Sequence, residues 1–496
     1  MNRILPSGDS GLSTALRFAL MLFAFASCFI VLSIVTTVPG INALMWLVML
    51  FSIIGPVWFD PNLRRQAFHP YSYFVLLGVF SFAVPGLLVW INRAAGTSLE
   101  YYPQAALLVA GSYIAFRLGY RSGVGVGLAH SVPLLVFPRA HKARLERRFW
   151  IPLLALYILG WFGRLTGSSI GMSHMPVDLG SLWRYASLFT DLGTFGTLSY
   201  LLMLYLTFRA RWKPVQKGML LGVLIGLEIL AGALEGGRTA PVLAILYCLV
   251  AYHFAVRPVR WRTLVLGYAL VFVFIGPLLT VYKDSYYKVM GLRQKSGLGA
   301  IVEALQLSGK SLDANEYDLG LLLEDITLRQ GGSSFRSTLR VLERVPSVYD
   351  YELGRTLGEG LLAIVVPRIL WPGKPLFIPG RDFAIRFWEK DVDQELGTSI
   401  GIGMPAEAYY NFGWFGLLIF PFLGVGLRFF TERFQRYERL ETIYIVRAFF
   451  ILFTVANLTN NFLYYFTALL RTALLILLFM VIVNGRLPKT KRWKGF

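Results

Sequence analysis

Charge is scarce in this 496-residue chain: Asp, Glu, Lys and Arg make up 15% of it, against roughly a quarter in an ordinary soluble domain. With 56% hydrophobic residues and a mean hydropathy of +0.58, that shortage excludes a soluble globular enzyme. Cysteine is nearly absent. Cys28 and Cys248 each fall inside an apolar run, so the chain has no disulfide framework, no CxxC pair and no zinc spacing. No HExxH, Walker A or GxSxG pattern occurs, which leaves metalloprotease chemistry, ATP-driven transport and serine hydrolysis without support. The surplus of bases, +20 overall, would suit nucleic acid if it formed one patch. It is instead dispersed between apolar stretches, and a membrane explains it better than a nucleic-acid partner.

A helix crosses a bilayer with about 20 largely apolar residues. Twelve stretches meet that need, near 18–37, 41–59, 72–91, 103–119, 149–163, 188–208, 218–234, 238–256, 263–282, 412–430, 443–459 and 462–484. The expected fold is therefore an all-α polytopic membrane protein of about 12 spans. The first stretch has no small-residue cleavage site before the second begins and reads as a retained span. Residues 124–138 are apolar but short and broken by Gly and Pro, so they read as re-entrant or interfacial.

The positive-inside rule tests this layout. With a cytoplasmic N-terminus, the inner segments hold 28 of the 48 Lys and Arg, while the short outer loops hold only Arg93, Arg164, Arg184 and Arg238. Making 124–138 a true crossing would invert every later loop and throw the richest basic runs outside. Both termini are thus expected in the cytoplasm. The chain divides into spans 1–9 (1–282), a long outer domain (283–411) and spans 10–12 with a basic tail (412–496). The outer domain carries 15 bases against 17 acids, so the positive surplus belongs to the inner face, where it suits anionic lipid. Within it, 319–328 and 337–345 have the spacing of amphipathic helices. The run 361–371, interrupted by Pro367, suggests an interfacial or re-entrant segment over 358–375.

Four groups of residues stand out as chemistry. At the outer turn between spans seven and eight, Glu235-Gly236-Gly237-Arg238 exposes backbone N–H groups beside an arginine at a helix start, a seat for phosphate; the plainer reading is a turn with an ion pair. Around the three prolines Pro367, Pro372 and Pro375, Arg368 and Lys374 set cations at headgroup level beside Trp371, with Arg381 and Arg386 extending the surface; the plainer reading is an interface anchor. At the entry to span ten, Glu407, Tyr409, Tyr410 and Asn411 combine a carboxylate, an amide and aromatic faces of the kind that hold sugars. Glu407 there is a candidate general base, against a plain helix start with an aromatic belt. Arg471 lies inside span twelve and needs a partner, for which Glu228 is the expected residue. Asp391 and Asp393 have a DxD form within a solvated charge run, and His174 is a lone outer-loop histidine.

These residues come in a familiar order. The chain resembles the bacterial Wzy-type oligosaccharide repeat-unit polymerases (O-antigen or exopolysaccharide polymerases), through the GGRTAP turn opening span eight, the long outer domain, and the run Gly354 to Gly413 with G-x-T, VVPRILWPGKP and PAEAYYNFGWFG. It departs from that family at Glu235, where a small polar residue is common. The resemblance implies a GT-C-like glycosyltransferase of the bacterial inner membrane, its large domain periplasmic. It would join undecaprenyl-pyrophosphate-linked oligosaccharides, alongside a chain-length regulator and a flippase. It further implies that Arg238, Arg368 and Lys374 steady the departing pyrophosphate and that Glu407 orients or deprotonates the acceptor hydroxyl. Glu235, Arg381, Arg386, Tyr409, Tyr410, Asn411 and Arg471 would bind substrate, and neither metal nor other cofactor is called for. Two alternatives share parts of this pattern. A glycan ligase would carry a histidine in the outer domain, and none of the five histidines lies in 283–411. A flippase would need a continuous cationic cavity, whereas intramembrane charge is confined to a few residues such as Glu228 and Arg471.

Overall fold

The computed structural model describes residues 40–92, 99–137, 142–169, 183–234, 239–270, 298–313, 332–358, 379–388, 401–440, 444–457, 462–485 and 487–491, with short pieces between 278 and 289. These residues form a mostly helical membrane protein. Five described helices are long and apolar enough to cross a membrane: Gly40–Phe59, Pro70–Trp90, Phe149–Thr166, Pro214–Ala233 and Met404–Glu438. Large apolar side chains cover their outer faces, Ile151 at 79% exposure and Phe422 at 77% among them, as lipid-facing positions require.

Proline and glycine shape the first half. Helix α1 (Gly40–Phe59) leads through α2 (Pro61–Arg65) to α3 (Pro70–Gly78), which passes through a π turn at Val79–Ala83 into α4 (Val84–Asn92). The turn has an identifiable cause: Pro85 has no N–H to donate and its ring crowds the preceding turn, so the chain inserts an extra residue. Side chains from neighbouring helices also bond carbonyls of this bent stretch. Trp46 Nε1 donates to Ala83 O at 2.7 Å, and the Tyr102 hydroxyl donates to Gly86 O at 2.9 Å. Helix α5 (Tyr102–Arg121) runs on into the short α6 (Val124–Ser131) and the strand β1 (Leu134–Val136).

Glycines set the closest helix pairs. In α7 (Lys142–Ser169) and α8 (Trp183–Arg209), a Cβ at Gly160 would lie 2.3 Å from Gly196 Cα, so only glycine lets the backbones meet. Helices α9 (Pro214–Leu234), α10 (Thr239–Ala255) and α11 (Trp261–Leu270) follow, then α12 (Leu298–Asp313), α13 (Gly332–Arg344) and α14 (Pro379–Trp388). Helix α15 (Met404–Phe412) passes through a 3-10 turn (Gly413–Leu418) into α16 (Ile419–Leu440). A Cβ at Gly119 of α5 would lie 1.9 Å from Pro421 O of α16, and one at Gly424 would lie 2.1 Å from Phe116 O. Helices α17 (Ile445–Asn457) and α18 (Phe462–Asn484) and the strand β2 (Lys489–Lys491) complete the chain.

The two short strands depart from the all-helical expectation. They pair antiparallel, Leu134 opposite Lys491 and Val136 opposite Lys489. The pairing puts 134–136 and the C-terminal tail at the same end of the bundle, so 124–138 does not cross; its eight-residue helix covers only about 12 Å. Other segments meet there. Ala67 N donates to Val259 O at 2.9 Å. Arg433 donates to Val132 O and Pro133 O, Arg436 to Ala129 O, and Arg447 to Leu135 O. Among the described residues, the basic segments around 64–67, 257–262, 433–447 and 489–491 are thus gathered at one end with 129–136. The predicted span over 18–37, residues 271–277 and 280 of that over 263–282, and the segments 319–328 and 361–371 lie outside the described residues. The predicted amphipathic stretch 337–345 is helical in α13, which buries Phe335, Leu339 and Leu342.

Candidate functional site

At the opposite end of the bundle, α13, α14, α15 and the loop 345–358 enclose a polar knot. Its positioning starts from backbone. Glu352 N and Leu353 N donate to Tyr410 O and Asn411 O at 3.1 and 3.0 Å, pinning the loop along the end of α15. Gly413 then turns the chain with φ +59°, in the left-handed region, and a Cβ there would press on the Tyr351 ring at 3.2 Å. Tyr351 packs edge-on against Tyr409, and Tyr409 against Trp414, both at 5.9 Å.

Glu352 is the centre of the knot. Its Oε1 accepts from Arg386 Nη1, the Tyr410 hydroxyl and Arg355 Nη2, each at 2.7 Å, while Arg355 Nε donates to Oε2. Arg386 Nη1 also donates to the Tyr410 oxygen at 2.7 Å. The fork from Arg355, assisted by the bonds from Tyr410 and Arg386, holds the Glu352 carboxyl down to about 2. Behind Arg386, its own carbonyl accepts from Arg344 Nη1 at 3.0 Å and from the Tyr349 hydroxyl at 2.9 Å, which fixes the end of α14. Phe387 lies edge-on to Tyr410 at 5.3 Å. The carboxylate is almost covered, but Arg355 and Arg386 keep half and over a third of their side-chain surface, so the knot shows cations outward.

A second layer lies one helical turn back on α15. Glu407 is buried, 2% exposed; its Oε2 accepts from the Phe462 amide at the start of α18, and its Oε1 faces the Thr356 hydroxyl at 3.5 Å. Asn411 is fully buried. Its Nδ2 donates to Thr356 Oγ1 at 2.7 Å and to Glu407 O at 2.8 Å. Thr356 joins the layers, two residues beyond the turn at Gly354, whose φ is +88°. The Glu407 layer ties loop, α15 and α18 into one unit.

The structure therefore brings Arg386, Glu407, Tyr409, Tyr410 and Asn411 together. Glu235, Arg238, Arg368 and Lys374 lie outside the described residues, as do Asp391, Asp393 and His174; Arg381 falls in α14, its side chain undescribed. Arg471 is elsewhere, and its expected partner is corrected. Arg471 Nε donates to Asp191 Oδ1 at 2.6 Å, whereas Glu228 Oε2 takes Arg164 Nη1 at 2.7 Å. Spacing along one helix cannot tell which neighbouring helix stands opposite, and α18 packs on α8, where Asp191 sits. Sequence reasoning gave no role to Glu352, Arg355 or Thr356. A signal was available in Glu352-x-x-Arg355, an acid and a base three apart beside a Gly-x-Thr turn.

No protein-family model, no curated protein and no solved structure matches this chain.

Proposed function

We propose that this protein is a membrane glycosyltransferase polymerising undecaprenyl-pyrophosphate-linked oligosaccharide repeat units into a surface polysaccharide, an O-antigen or exopolysaccharide, at the outer face of the bacterial inner membrane. In this reading the chain is GT-C-like, with 12 spans, both termini cytoplasmic, and 283–411 forming the periplasmic domain.

The observation that carries the reading is the convergence of Arg355, Thr356, Arg386 and the Glu407–Asn411 run at the end of the bundle remote from the basic loops. Two segments that resemble the polymerases, Gly354-x-Thr356 and PAEAYYNFGWFG, are distant in sequence and hydrogen-bonded in space. A polymerase of this kind needs cations where the pyrophosphate departs and polar groups to hold the acceptor sugar. Arg355 and Arg386 supply outward cations on a frame locked by Glu352, and Arg238, Arg368 and Lys374 complete the set in this proposal. Glu407 orients the acceptor side through Thr356 and Asn411. Glu235, Arg381, Tyr409 and Tyr410 are assigned to substrate, and Arg471, bound to Asp191 away from this cluster, is not.

The test is deletion of the gene followed by analysis of surface glycan. Single repeat units at the surface, restored to long polymer by the wild-type gene and not by an Arg355→Ala/Arg386→Ala variant present at equal level, support the reading. Unligated long polymer would instead indicate a ligase, and loss of all surface repeats a flippase.

A further inference from the structure

The basic end of the bundle holds a cavity of about 460 Å³ that the proposed chemistry does not use. It opens between α2, the last turns of α5 and α16, and three of its lining residues are Arg117, Arg121 and Arg428, against a single acid, Asp60. Asp60 is occupied: its Oδ1 accepts from the Leu63 amide at the start of α2.

The cations are poorly compensated. Arg117 and Arg121 stand four apart on one face of α5, an arrangement in which like charges repel, and neither makes an ion pair with a described residue. Arg428 has Glu432 at 2.6 Å and stacks over the Tyr120 ring at 5.4 Å. The Tyr120 hydroxyl, between Thr431 and Arg428, and the Nδ1 of His69 are covered behind the cavity wall. Three guanidinium groups around one cavity, two of them without an ion pair to a described residue, mark a place where an oxygen-rich anion fits.

We propose that this cavity binds a phosphate-bearing anion, gripped by Arg117, Arg121 and Arg428. Two sources present that chemistry: the headgroup of an anionic phospholipid in the adjoining leaflet, and a soluble phosphate compound. Helix α5 is 20 residues long, so the cavity lies about 30 Å from the Glu352 knot. It is a second site, separate from the proposed polymerisation chemistry.

The experiment uses the full-length protein in nanodiscs of mixed phosphatidylglycerol and phosphatidylcholine, with lipid retention read by native mass spectrometry and inorganic pyrophosphate binding by calorimetry. Arg117→Gln and Arg121→Gln are made singly and together, with Arg211→Gln/Lys213→Gln, exposed bases at the end of α8, as the charge control. Selective retention of phosphatidylglycerol, falling about tenfold in the double variant and unchanged in the control, supports the lipid source. Pyrophosphate binding lost in the same variant, without lipid preference, supports the soluble source. The single variants keep the test valid if the double variant melts early. No binding of either probe, binding indifferent to Arg117 and Arg121, or equal loss in the control overturns the proposal.

Discussion

Arg471 on α18 and Asp191 on α8 join at 2.6 Å across two helices, the first of them apolar along most of its length. An arginine within a span costs about 2.5–3.5 kcal/mol on insertion scales when uncompensated. Asp191→Ala should therefore lower the detergent melting temperature, corresponding to a loss of about 2 kcal/mol. Arg471→Asp/Asp191→Arg should recover most of it. Equal melting of all three proteins would show that the pair is incidental.

The Arg164–Glu228 pair behaves differently because it is more deeply buried. Glu228 is 6% exposed, its Oε2 is held by Arg164, and Arg164 Nη2 also donates to Thr197 at 2.6 Å. Removing one partner strands a buried charge at a cost of about 3–5 kcal/mol, while replacing both with apolar groups is close to neutral. Arg164→Met alone should reduce folded yield sharply, and Arg164→Met/Glu228→Leu should restore it. Failure of the double variant to fold would mean that Glu228 has a further obligate partner.

Glu352 makes the knot sensitive to acid. Its folded-state carboxyl, held at about 2 by Arg355, Tyr410 and Arg386, lies below the ordinary value of 4.5. The sign follows directly: a depressed acid stabilises the fold above its unfolded pKa, and that contribution fades as the pH falls toward the folded value. The difference in stability between wild type and Glu352→Gln should thus be full above about pH 4.5 and shrink toward pH 2. Thermal melting of both proteins across that range measures it. A constant difference would show that the Glu352 charge is not what the knot depends on.

How much of this was legible beforehand depended on the range of the interaction. The run of apolar residues in α1 or α9 is local, because crossing a bilayer is a matter of length and transfer energy within one segment. The same holds for the non-crossing of 124–138, since loop charge alone placed its flanks on one side. Partners were not local. Arg471 found Asp191, 280 residues away, and the strand pairing of Leu134 with Lys491 spans most of the chain, so no periodicity announces either. In the site, the PAEAYYNFG run was visible as chemistry. Glu352 was hidden because it becomes a hub only when α14 and α15 bring Arg386 and Tyr410 to it, 34 and 58 residues on.

Glycine positions carry the last prediction. Without an aqueous driving force between helices in lipid, packing depends on how closely backbones approach, and small residues govern that. Gly119 and Gly424 on α5 and α16 face backbone carbonyls at distances no Cβ tolerates, and Gly160 faces Gly196 in the same way. Gly218, Gly222 and Gly226 on α9 have open space around them. Gly119→Val, Gly424→Val and Gly160→Val should prevent accumulation of folded protein, since carbonyl oxygens and Cα atoms cannot move as a side-chain tip can. Gly222→Ala should be tolerated or gain roughly 0.5–1 kcal/mol from better helix propensity. Fluorescence size-exclusion profiles of tagged variants separate these outcomes. A monodisperse Gly160→Val would mean that α7 and α8 pack less closely than their glycines allow, and a collapsed Gly222→Ala would mean that another surface covers α9.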